Sequence, residues 1–224
     1  MQNSNKPHIL FLLGSLRAGG AERVIAGMGN YLANEGYQVS MIHLNRLGHF
    51  YSVENDVHQY TLDIAMRSSN FLNGLIKTRS RVIKIRNFIR QIQPDILISF
   101  FTDVNVLTIL ANRKLNLPLI ISERNNPFRD EIPKRWKMAR KNLYKRADLL
   151  VLQTEKVRSF YQNIGREKIR VIPNPLRKLN FPAEPDQKMI LAVGRLVSQK
   201  GMDLIIEAFN LTSAKESWKL TLLG

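Results

Sequence analysis

The sequence predicts an α/β protein with a doubly wound, mainly parallel sheet, followed by an incomplete second unit of the same kind. Three observations predict this class. Short apolar runs of strand length alternate with segments whose apolar residues recur every three or four positions. The apolar runs end at glycine, proline or polar residues, as buried parallel strands do. The 224 residues, 44% of them hydrophobic, are enough to bury a sizeable core.

The first part of the chain alternates strand signals with one helix signal. The first strand, His8–Leu13, leads through a glycine pair into a helix that begins at Ala21. Gly36 is a typical residue at which such a helix ends. Shorter apolar runs at Gln38–Leu44 and Val57–Leu62 then predict the second and third strands.

The middle and late parts repeat the alternation. A long helix ends at Pro94, because the residue before a proline disfavours helical backbone. A basic helix follows later, and Thr154 can cap another. The predicted elements are a helix at Phe71–Gln93, a strand at Asp95–Phe100, a helix at Asn105–Arg113, a strand at Leu119–Ser122, a helix at Lys134–Arg146, a strand at Leu149–Gln153, a helix from Thr154 to about Gln162 and a strand at Ile169–Ile172.

A proline-rich stretch divides the predicted domains. Four prolines and no periodicity between Pro173 and Lys188 indicate a linker. We therefore expect a first domain at 1–173, a linker at 174–188 and a second domain at 189–224. The second domain holds a strand at Met189–Val193, a helix at Gly201–Phe209 and a strand at Lys219–Leu223. One strand–helix–strand unit is too small to bury its own core, so this domain is expected to be incomplete.

The charge balance points to anionic partners. Thirty-four Lys and Arg against eighteen Asp and Glu leave +16, which favours nucleic acid, an anionic membrane face or phosphorylated small molecules. No cysteine is present, which excludes disulfides and a cysteine nucleophile, and the four histidines lack metal-ligand spacing. No metal or cofactor is therefore expected. Of these three classes, nucleic acid is the least expected and no nucleic-acid partner is predicted, because no known binding module accompanies the charge.

Two predicted helices, Phe71–Gln93 and Lys134–Arg146, contain several Lys and Arg residues each and no Asp or Glu. Basic helices with interfacial aromatic residues suit an anionic membrane surface, although a charge run is more often simply a solvated helix face. The candidates for membrane contact are Lys77, Arg81, Lys84, Lys134, Arg135, Trp136, Arg140 and Lys141.

Two loops at strand ends are candidates for binding an anion. After the first strand, Gly19 and Gly20 precede a helix, where exposed N–H groups and the helix dipole favour phosphate, and Arg17 lies nearby. Neither dinucleotide nor P-loop spacing is present. In the second domain, Arg195 and Lys200 flank a strand-to-helix turn. A plain tight turn and two solvated cations are the alternative interpretations.

A third polar loop follows the predicted strand at Leu119–Ser122. Glu123, Arg124 and Asn125 stand at the carboxyl end of this strand, on the edge where parallel sheets bind ligands. They are therefore candidates for an active cleft, together with Arg17 of the first loop, which is expected at the same edge of the sheet. The alternative is a capped loop held by an ion pair between Glu123 and Arg124.

These segments together resemble the family 4 glycosyltransferases, in the same order and over nearly the whole chain. The matching segments are His8–Arg23, Pro94–Phe100, Ile121–Pro127, Val171–Pro175 and Ala192–Gly201. The resemblance implies a GT-B fold, in which two Rossmann-like domains face each other across a cleft. It implies retaining transfer of a sugar from a nucleotide-sugar, with UDP as the expected carrier, to a lipid-linked or polysaccharide acceptor in bacterial surface glycan synthesis.

Residue by residue, the resemblance puts Gly19, Gly20, Arg195 and Lys200 at the donor diphosphate, and no metal is expected. It implies a cytoplasmic protein, peripheral at the inner face of the cytoplasmic membrane. Many relatives carry a histidine in the segment where this chain has Arg124, so no catalytic residue is assigned. The family's E-x7-E donor motif would lie beyond Gly224. The expected alternative is therefore a catalytically inactive fragment that binds an anionic membrane or a glycolipid.

Overall fold

The structure is a computed structural model, and it describes residues 6–46, 48, 50–64, 71–176 and 188–224. The chain divides into two compact units, Met1–Pro175 and Leu176–Gly224, which are described separately. The predicted linker at 174–188 falls largely on residues outside the described ranges, so the exact domain boundaries stay a prediction.

The first unit contains one seven-stranded sheet, and all of its strand pairs are parallel. The strands are β1 (His8–Leu13), β2 (Gln38–His43), β3 (Val57–Thr61), β4 (Ile96–Phe100), β5 (Leu119–Ser122), β6 (Leu149–Leu152) and β7 (Ile169–Val171). The helices are α1 (Gly20–Asn34), α2 (Phe71–Ile92), α3 (Thr102–Asn112), α4 (Lys134–Leu143) and the single turn α5 (Glu155–Arg158). The predicted α/β class with a doubly wound parallel sheet is confirmed.

Helices cover both faces of the sheet, and this explains why the strands are apolar throughout. All six residues of β1 are buried. Phe11 and its odd-numbered neighbours pack with Ile25 of α1, whereas Leu10 and Leu12 pack with Ile85 of α2 and Leu107 of α3. Because successive side chains of a strand point to opposite faces, a strand covered on both sides needs apolar residues at every position.

The strand order creates a crevice beside β1. The sheet runs β3-β2-β1-β4-β5-β6-β7, so the chain builds outward from β1 in one direction and then reverses at β4. Residue Ile9 of β1 pairs with Val39 of β2 on one side and with Ile96 of β4 on the other. In open parallel sheets, ligands bind outside the carboxyl ends of the strands at such a reversal.

The helix ends differ from the sequence predictions at three places. Helix α3 begins at Thr102, three residues before the predicted start, directly after β4. The predicted helix at Lys134–Arg146 is α-helical only to Leu143 and then continues as a 3₁₀ turn. After Thr154 a single α-helical turn passes into 3₁₀ backbone that ends at Tyr161. Terminal 3₁₀ turns of this kind are common.

The second unit holds a parallel strand pair and one helix. Strands β8 (Met189–Val193) and β9 (Lys219–Leu223) pair along their length, with helix α6 (Met202–Asn210) between them in sequence. Gly201 precedes α6 with φ of 63°, a left-handed conformation that favours glycine. Among the side chains described in residues 188–224, each is exposed or half-buried. Leu191, Leu204 and Leu211 are among the exposed ones.

Candidate functional site

A cleft of about 390 Å³ opens at the reversal point of the sheet. Its walls come from the ends of β1, β2, β4 and β5 and from the first turns of α1, α3 and α4. The lining residues are Gly14, Ser15, Glu22, Asn45, Phe101, Thr102, Asp103, Val104, Asn125, Ile132, Pro133 and Trp136. The cleft therefore combines carboxylates and amides with two aromatic side chains, a mixture that suits a hydroxyl-rich ligand.

Asp103 is the most perturbed acidic group lining this cleft among the residues described. It lies in the first turn of α3, and one carboxylate oxygen accepts the N–H of Val104 at 2.9 Å. Burial raises the pKa of Asp103, while Arg81 of α2 opposes that rise through its positive charge. The carboxylate of Glu22, from α1, lines the same cleft. Perturbed carboxyl groups that face a pocket are typical of functional sites.

Phe101, between β4 and α3, holds an unusual backbone conformation. Its φ of 71° and ψ of 147° are costly for a residue with a large side chain. The carbonyl of Phe101 accepts the N–H of Asn105 at 2.8 Å, and its N–H donates to the carbonyl of Ser122 at 3.2 Å. These two bonds hold the turn that places Thr102 and Asp103 at the cleft.

Glu123 is buried and is hydrogen-bonded to Thr102 of the cleft wall. Its Oε2 accepts the hydroxyls of Thr102 and Tyr144, each at 2.8 Å, and the guanidinium of Arg140 lies 4.0 Å away. Burial raises the pKa of Glu123, and the hydrogen bonds from Thr102 and Tyr144 oppose the rise. The alternative of an ion pair with its neighbour Arg124 is wrong, because the cation close to this carboxylate is Arg140.

Arg124 and Asn125 point to different surroundings. Asn125 lines the cleft. The Arg124 guanidinium instead donates from Nη1 to Oδ1 of Asn174 at 2.7 Å and lies 5.4 Å from the centre of the Phe100 ring. Gln153 donates to the same Asn174 oxygen at 3.2 Å. Burial lowers the pKa of Arg124. Arg124 thus connects the end of β5 to the segment that follows β7.

The glycine loop leaves room for a ligand at one of its two glycines. A Cβ added to Gly20 would meet no atom within 4 Å, and Gly20 is exposed at the start of α1. Gly19 has extended backbone with φ of −171°, and a Cβ there would meet the flexible carboxylate of Glu22. The Arg17 side chain is exposed. Nothing in the protein's own packing therefore requires glycine at position 20.

The predicted diphosphate cations lie in the second unit. Arg195 and Lys200 flank the turn between β8 and α6, and both are exposed. Their exposure leaves them available to an anion. Their role, like that of Gly19 and Gly20, stays a prediction.

The membrane candidates separate into exposed and buried groups. Lys77, Lys84, Lys134 and Lys141 are exposed, and Arg135 is half-buried. Trp136, Arg81 and Arg140 are buried, so the expectation that they contact a membrane surface is wrong. Arg81 lies near Asp103, Arg140 is paired with Asp130, and Trp136 packs in the core. The sequence of a basic helix does not show which of its cations pair with an acidic residue in the protein interior.

A family model decides the assignment. The model for Glycosyltransferase Family 4 matches residues 18–177, which is more than two thirds of the chain. The chain belongs to Glycosyltransferase Family 4. The resemblance found in the sequence is therefore confirmed, and the matched region contains all the cleft-lining residues except Gly14 and Ser15.

Two curated relatives are similar to this chain over most of its length. One is the GalNAc-α-(1→4)-GalNAc-α-(1→3)-diNAcBac-PP-undecaprenol α-1,4-N-acetyl-D-galactosaminyltransferase of Campylobacter jejuni, 26% identical over 96% of this chain and 61% of the relative. An uncharacterized glycosyltransferase of Haemophilus influenzae is 27% identical over 96% of this chain and 60% of the relative. The chain thus spans about three fifths of the length of these relatives.

Solved structures show the same fold. Sucrose-phosphate synthase from Thermosynechococcus elongatus superposes with a TM-score of 0.79 at 15% identity, over 98% of this chain and 62% of that one. The apo lipopolysaccharide outer core galactosyltransferase WaaB gives 0.65 at 17% identity, over 96% and 60%. HepE of Anabaena, in complex with UDP and glucose, gives 0.62 at 16% identity, over 96% and 60%. These likenesses support the predicted GT-B class.

Two kinds of feature are absent from the described residues. No described helix combines the length and apolarity that a membrane crossing requires. Within the described ranges, His, Asp and Glu side chains form no group of three or more placed to hold a metal.

Sequence reasoning missed part of the cleft. Glu22 and Asp103 were not among the site candidates, although both line it. Asp103 could have been found, because it lies three residues after a buried strand, where parallel sheets bind ligands. The Thr102, Tyr144 and Arg140 partners of Glu123 could not, since they come from two helices and the turn that follows α4.

Proposed function

We propose that this glycosyltransferase transfers a sugar from a UDP-linked donor to a lipid-linked or polysaccharide acceptor in bacterial cell-surface glycan synthesis, with retention at the anomeric carbon. Membership of Glycosyltransferase Family 4, over residues 18–177, is the observation that carries the proposal. The C. jejuni relative is named for an undecaprenol-linked acceptor, and the Anabaena HepE structure contains UDP and glucose. Both support the chemical classes proposed here.

The cleft is proposed as the acceptor site. The carboxylates of Glu22 and Asp103 and the amide of Asn125 accept or donate hydrogen bonds at its wall, as sugar hydroxyls require. Phe101 and Trp136, which also line the cleft, are proposed to contact the ring carbons of the sugar. This site lies entirely within the first unit.

The donor diphosphate is proposed to contact four residues. Gly19 and Gly20 contribute backbone N–H groups at the start of α1, where the helix dipole favours anions. Arg195 and Lys200 contribute positive charge that offsets the charge developing on the leaving diphosphate. The proposal includes no metal and no cofactor.

An anionic membrane surface is proposed as a partner, with the protein peripheral at the inner face of the cytoplasmic membrane. The net charge of +16 supports this placement, together with the exposed lysines of α4. A lipid-linked acceptor would meet the enzyme at that surface. The proposal excludes nucleic acid as a partner.

The test is a transfer assay on the product of the complete reading frame that contains this chain. UDP-glucose, UDP-galactose, UDP-GlcNAc and UDP-GalNAc are each offered with a prenyl-diphosphate-linked glycan, and mass spectrometry detects the added sugar. Replacing Arg195 and Lys200 by glutamine should lower kcat/KM at least about a hundredfold, because charge stabilisation at a leaving group is a large contribution. Lys219→Gln, an exposed cation of the same unit, is the matched control.

Absence of transfer with each of these donors, together with unchanged activity of the Arg195 variant on any other nucleotide-sugar, would overturn the proposal. Binding of a glycolipid without binding of a donor would favour the alternative function, a non-catalytic glycolipid- or membrane-binding module.

Asp103→Asn tests the acceptor cleft. The variant should raise the acceptor KM about tenfold, the equivalent of one strong hydrogen bond to a charged group, and leave the donor KM unchanged. Asp56→Asn, on an exposed loop, removes the same charge as a control. A rise in the donor KM instead would place Asp103 at the other substrate.

A further inference from the structure

An open groove of about 1040 Å³ lies on the face of α4 that points away from the acceptor cleft. We call it the α4 groove. Its lining residues are Pro127, Phe128, Lys134, Arg135, Lys137, Met138, Arg140, Lys141, Ser159, Phe160, Tyr161, Gln162 and Asn163. Five of these carry positive charge and none carries negative charge. Two of the five, Lys137 and Arg140, are paired with Asp130, which still leaves the groove with a net positive charge.

Large apolar side chains are exposed within this cationic rim. Phe128 is 53% exposed, Met138 65% and Phe160 37%. Exposed aromatic and methionine side chains grouped at one place usually mark a binding surface. On α4, Lys134, Lys137, Met138 and Lys141 follow the spacing of one helical stripe, so the methionine lies among three lysines.

The floor of the groove is held in place from beneath. The ring of Phe160 packs edge to face against Phe128, with centroids 5.3 Å apart, and lies 4.8 Å from the Arg140 guanidinium. Arg140 is itself buried and paired with Asp130. The apolar surface is therefore fixed before any partner arrives, which reduces the entropy lost on binding.

We propose that the α4 groove docks this enzyme on an anionic phospholipid bilayer. Phe128, Met138 and Phe160 enter the boundary between headgroups and acyl chains. Lys134 and Lys141 contact the lipid phosphates, whereas Lys137 is paired with Asp130 at 3.8 Å. Apolar side chains surrounded by lysines are the pattern of a protein that lies in a membrane interface. The inference rests on the proposed function, because it assigns the proposed membrane contact to one surface.

The position of α4 connects this surface to the acceptor cleft. Pro133 and Trp136 line the cleft, whereas Lys137, Met138 and Lys141 line the groove. A helix with its side chains is about 10 Å across, so the two sites are separated by one helix diameter. Docking through the groove would hold the cleft beside the lipid surface, where a lipid-linked glycan presents its sugars.

Helix α2 offers a matched comparison, because it also exposes cations and an apolar side chain. Lys77 and Lys84 are exposed, and Ile76 is 70% exposed. Ile76 is not among the residues that line the α4 groove. Substitutions in α2 therefore remove two positive charges, or one exposed apolar side chain, at a place on the surface outside the groove.

The experiment is co-sedimentation of the full chain with vesicles of one part phosphatidylglycerol to three parts phosphatidylcholine, at low and high salt. Lys134→Gln combined with Lys141→Gln should lower the vesicle partition coefficient about tenfold at low salt, since each cation near an anionic surface strengthens binding severalfold. Lys77→Gln combined with Lys84→Gln should lower it less than about twofold. Met138→Gln should weaken binding severalfold at both salt concentrations, and Ile76→Gln should not.

The outcomes separate this inference from the proposed function. If the α2 pair weakens binding as much as the α4 pair, the groove assignment is overturned and the membrane contact stands. If the unmodified chain binds no anionic vesicles, the groove assignment and the proposed membrane contact are both overturned. The transfer assay on a water-soluble acceptor still decides the enzymatic activity. The same variants are also tested for binding to a short single-stranded RNA. If the Lys134→Gln, Lys141→Gln pair and Met138→Gln lose RNA binding as strongly as they lose vesicle binding, the groove is a nucleic-acid surface instead and the membrane assignment is overturned.

Discussion

The carboxylate of Glu123 lies at the end of β5 with donors from several elements around it. Thr102 and Tyr144 donate hydroxyls to Oε2, and the backbone N–H of Arg124 donates to Oε1 at 3.2 Å. Oε2 therefore accepts hydrogen bonds from side chains, whereas Oε1 accepts one from the backbone. Removing such an acceptor leaves buried donors without a partner, which costs more than the bond itself contributes.

Glu123→Gln tests this arrangement through its pH dependence. Because burial raises the pKa of Glu123, the folded protein binds this proton more tightly than the unfolded chain. The free energy of unfolding of the unmodified protein should therefore rise, relative to the variant, as the pH falls from about 7 to about 5. We expect the variant to be about 1–3 kcal/mol less stable near pH 5.

Chemical denaturation across this pH range provides the measurement, with Glu131→Gln as an exposed control. A difference between the unmodified protein and the variant that stays constant or grows with rising pH would show that the pKa of Glu123 is not raised.

Arg124 has a different role from its neighbour. Its bond to Asn174 restrains the segment after β7, so Arg124→Lys should lose that restraint while it keeps the charge. A double-mutant cycle with Asn174→Ala should give a coupling of about 1–2 kcal/mol, typical of a hydrogen bond to a charged group. Hydrogen exchange at the amides of Ile172 and Asn174 should accelerate in the variant. Unchanged exchange there, with Arg129→Lys as the exposed control, would contradict the restraint.

At the scale of elements, α1 offers two glycines whose substitution distinguishes an effect on stability from an effect on donor binding. Gly20 and Gly27 both lie in helical backbone, and at each of them a Cβ would meet only open space. Alanine at either position should raise the free energy of unfolding by about 0.5–1 kcal/mol, because glycine costs helix stability. Gly20 is the one proposed to let the backbone approach the donor diphosphate.

Gly20→Ala should therefore stabilise the protein yet weaken donor binding about tenfold, whereas Gly27→Ala should stabilise it without an effect on the donor. Denaturation and titration with the UDP-sugar give the two values. Equal donor affinity in both variants would remove Gly20 from the proposed diphosphate site.

The turn between β4 and α3 shows how an element boundary shapes the cleft. Phe101 takes positive φ, β4 ends just before it, and α3 begins one residue later with Thr102 and Asp103 facing the site. The sequence predicted this helix to begin at Asn105, because apolar periodicity begins later than the helix does. Hydrogen bonds at the turn, which periodicity does not report, set the true start.

At the scale of the whole molecule, the two units differ in how much apolar surface they bury. The first unit has two apolar layers, one on each face of its sheet. In the second, Leu204 and Leu211 of the α6 region and Leu191 of β8 are exposed. Exposed apolar surface of this kind favours association.

A chain that ends at Lys188 should therefore be more soluble than the full 224 residues and keep the unfolding transition of the first unit. Static light scattering and thermal denaturation measure both properties. Leu204→Gln with Leu211→Gln, in the full chain, tests whether the exposed leucines are responsible. Equal or poorer solubility of the shorter chain would show that the second unit's apolar surface is not the cause.

Local sequence patterns were enough to predict the order of strands and helices, the parallel sheet and the family. Each strand that is covered on both faces needs apolar residues throughout, and each helix has an apolar stripe on its buried side. Short stretches of sequence are therefore enough to predict these features. The folded chain was needed to learn that Glu123, Arg81, Trp136 and Arg140 are buried and that Glu22 and Asp103 meet in one cleft. Those outcomes depend on contacts between residues far apart in the chain, and a charged residue's own neighbours in sequence do not reveal its partner in space.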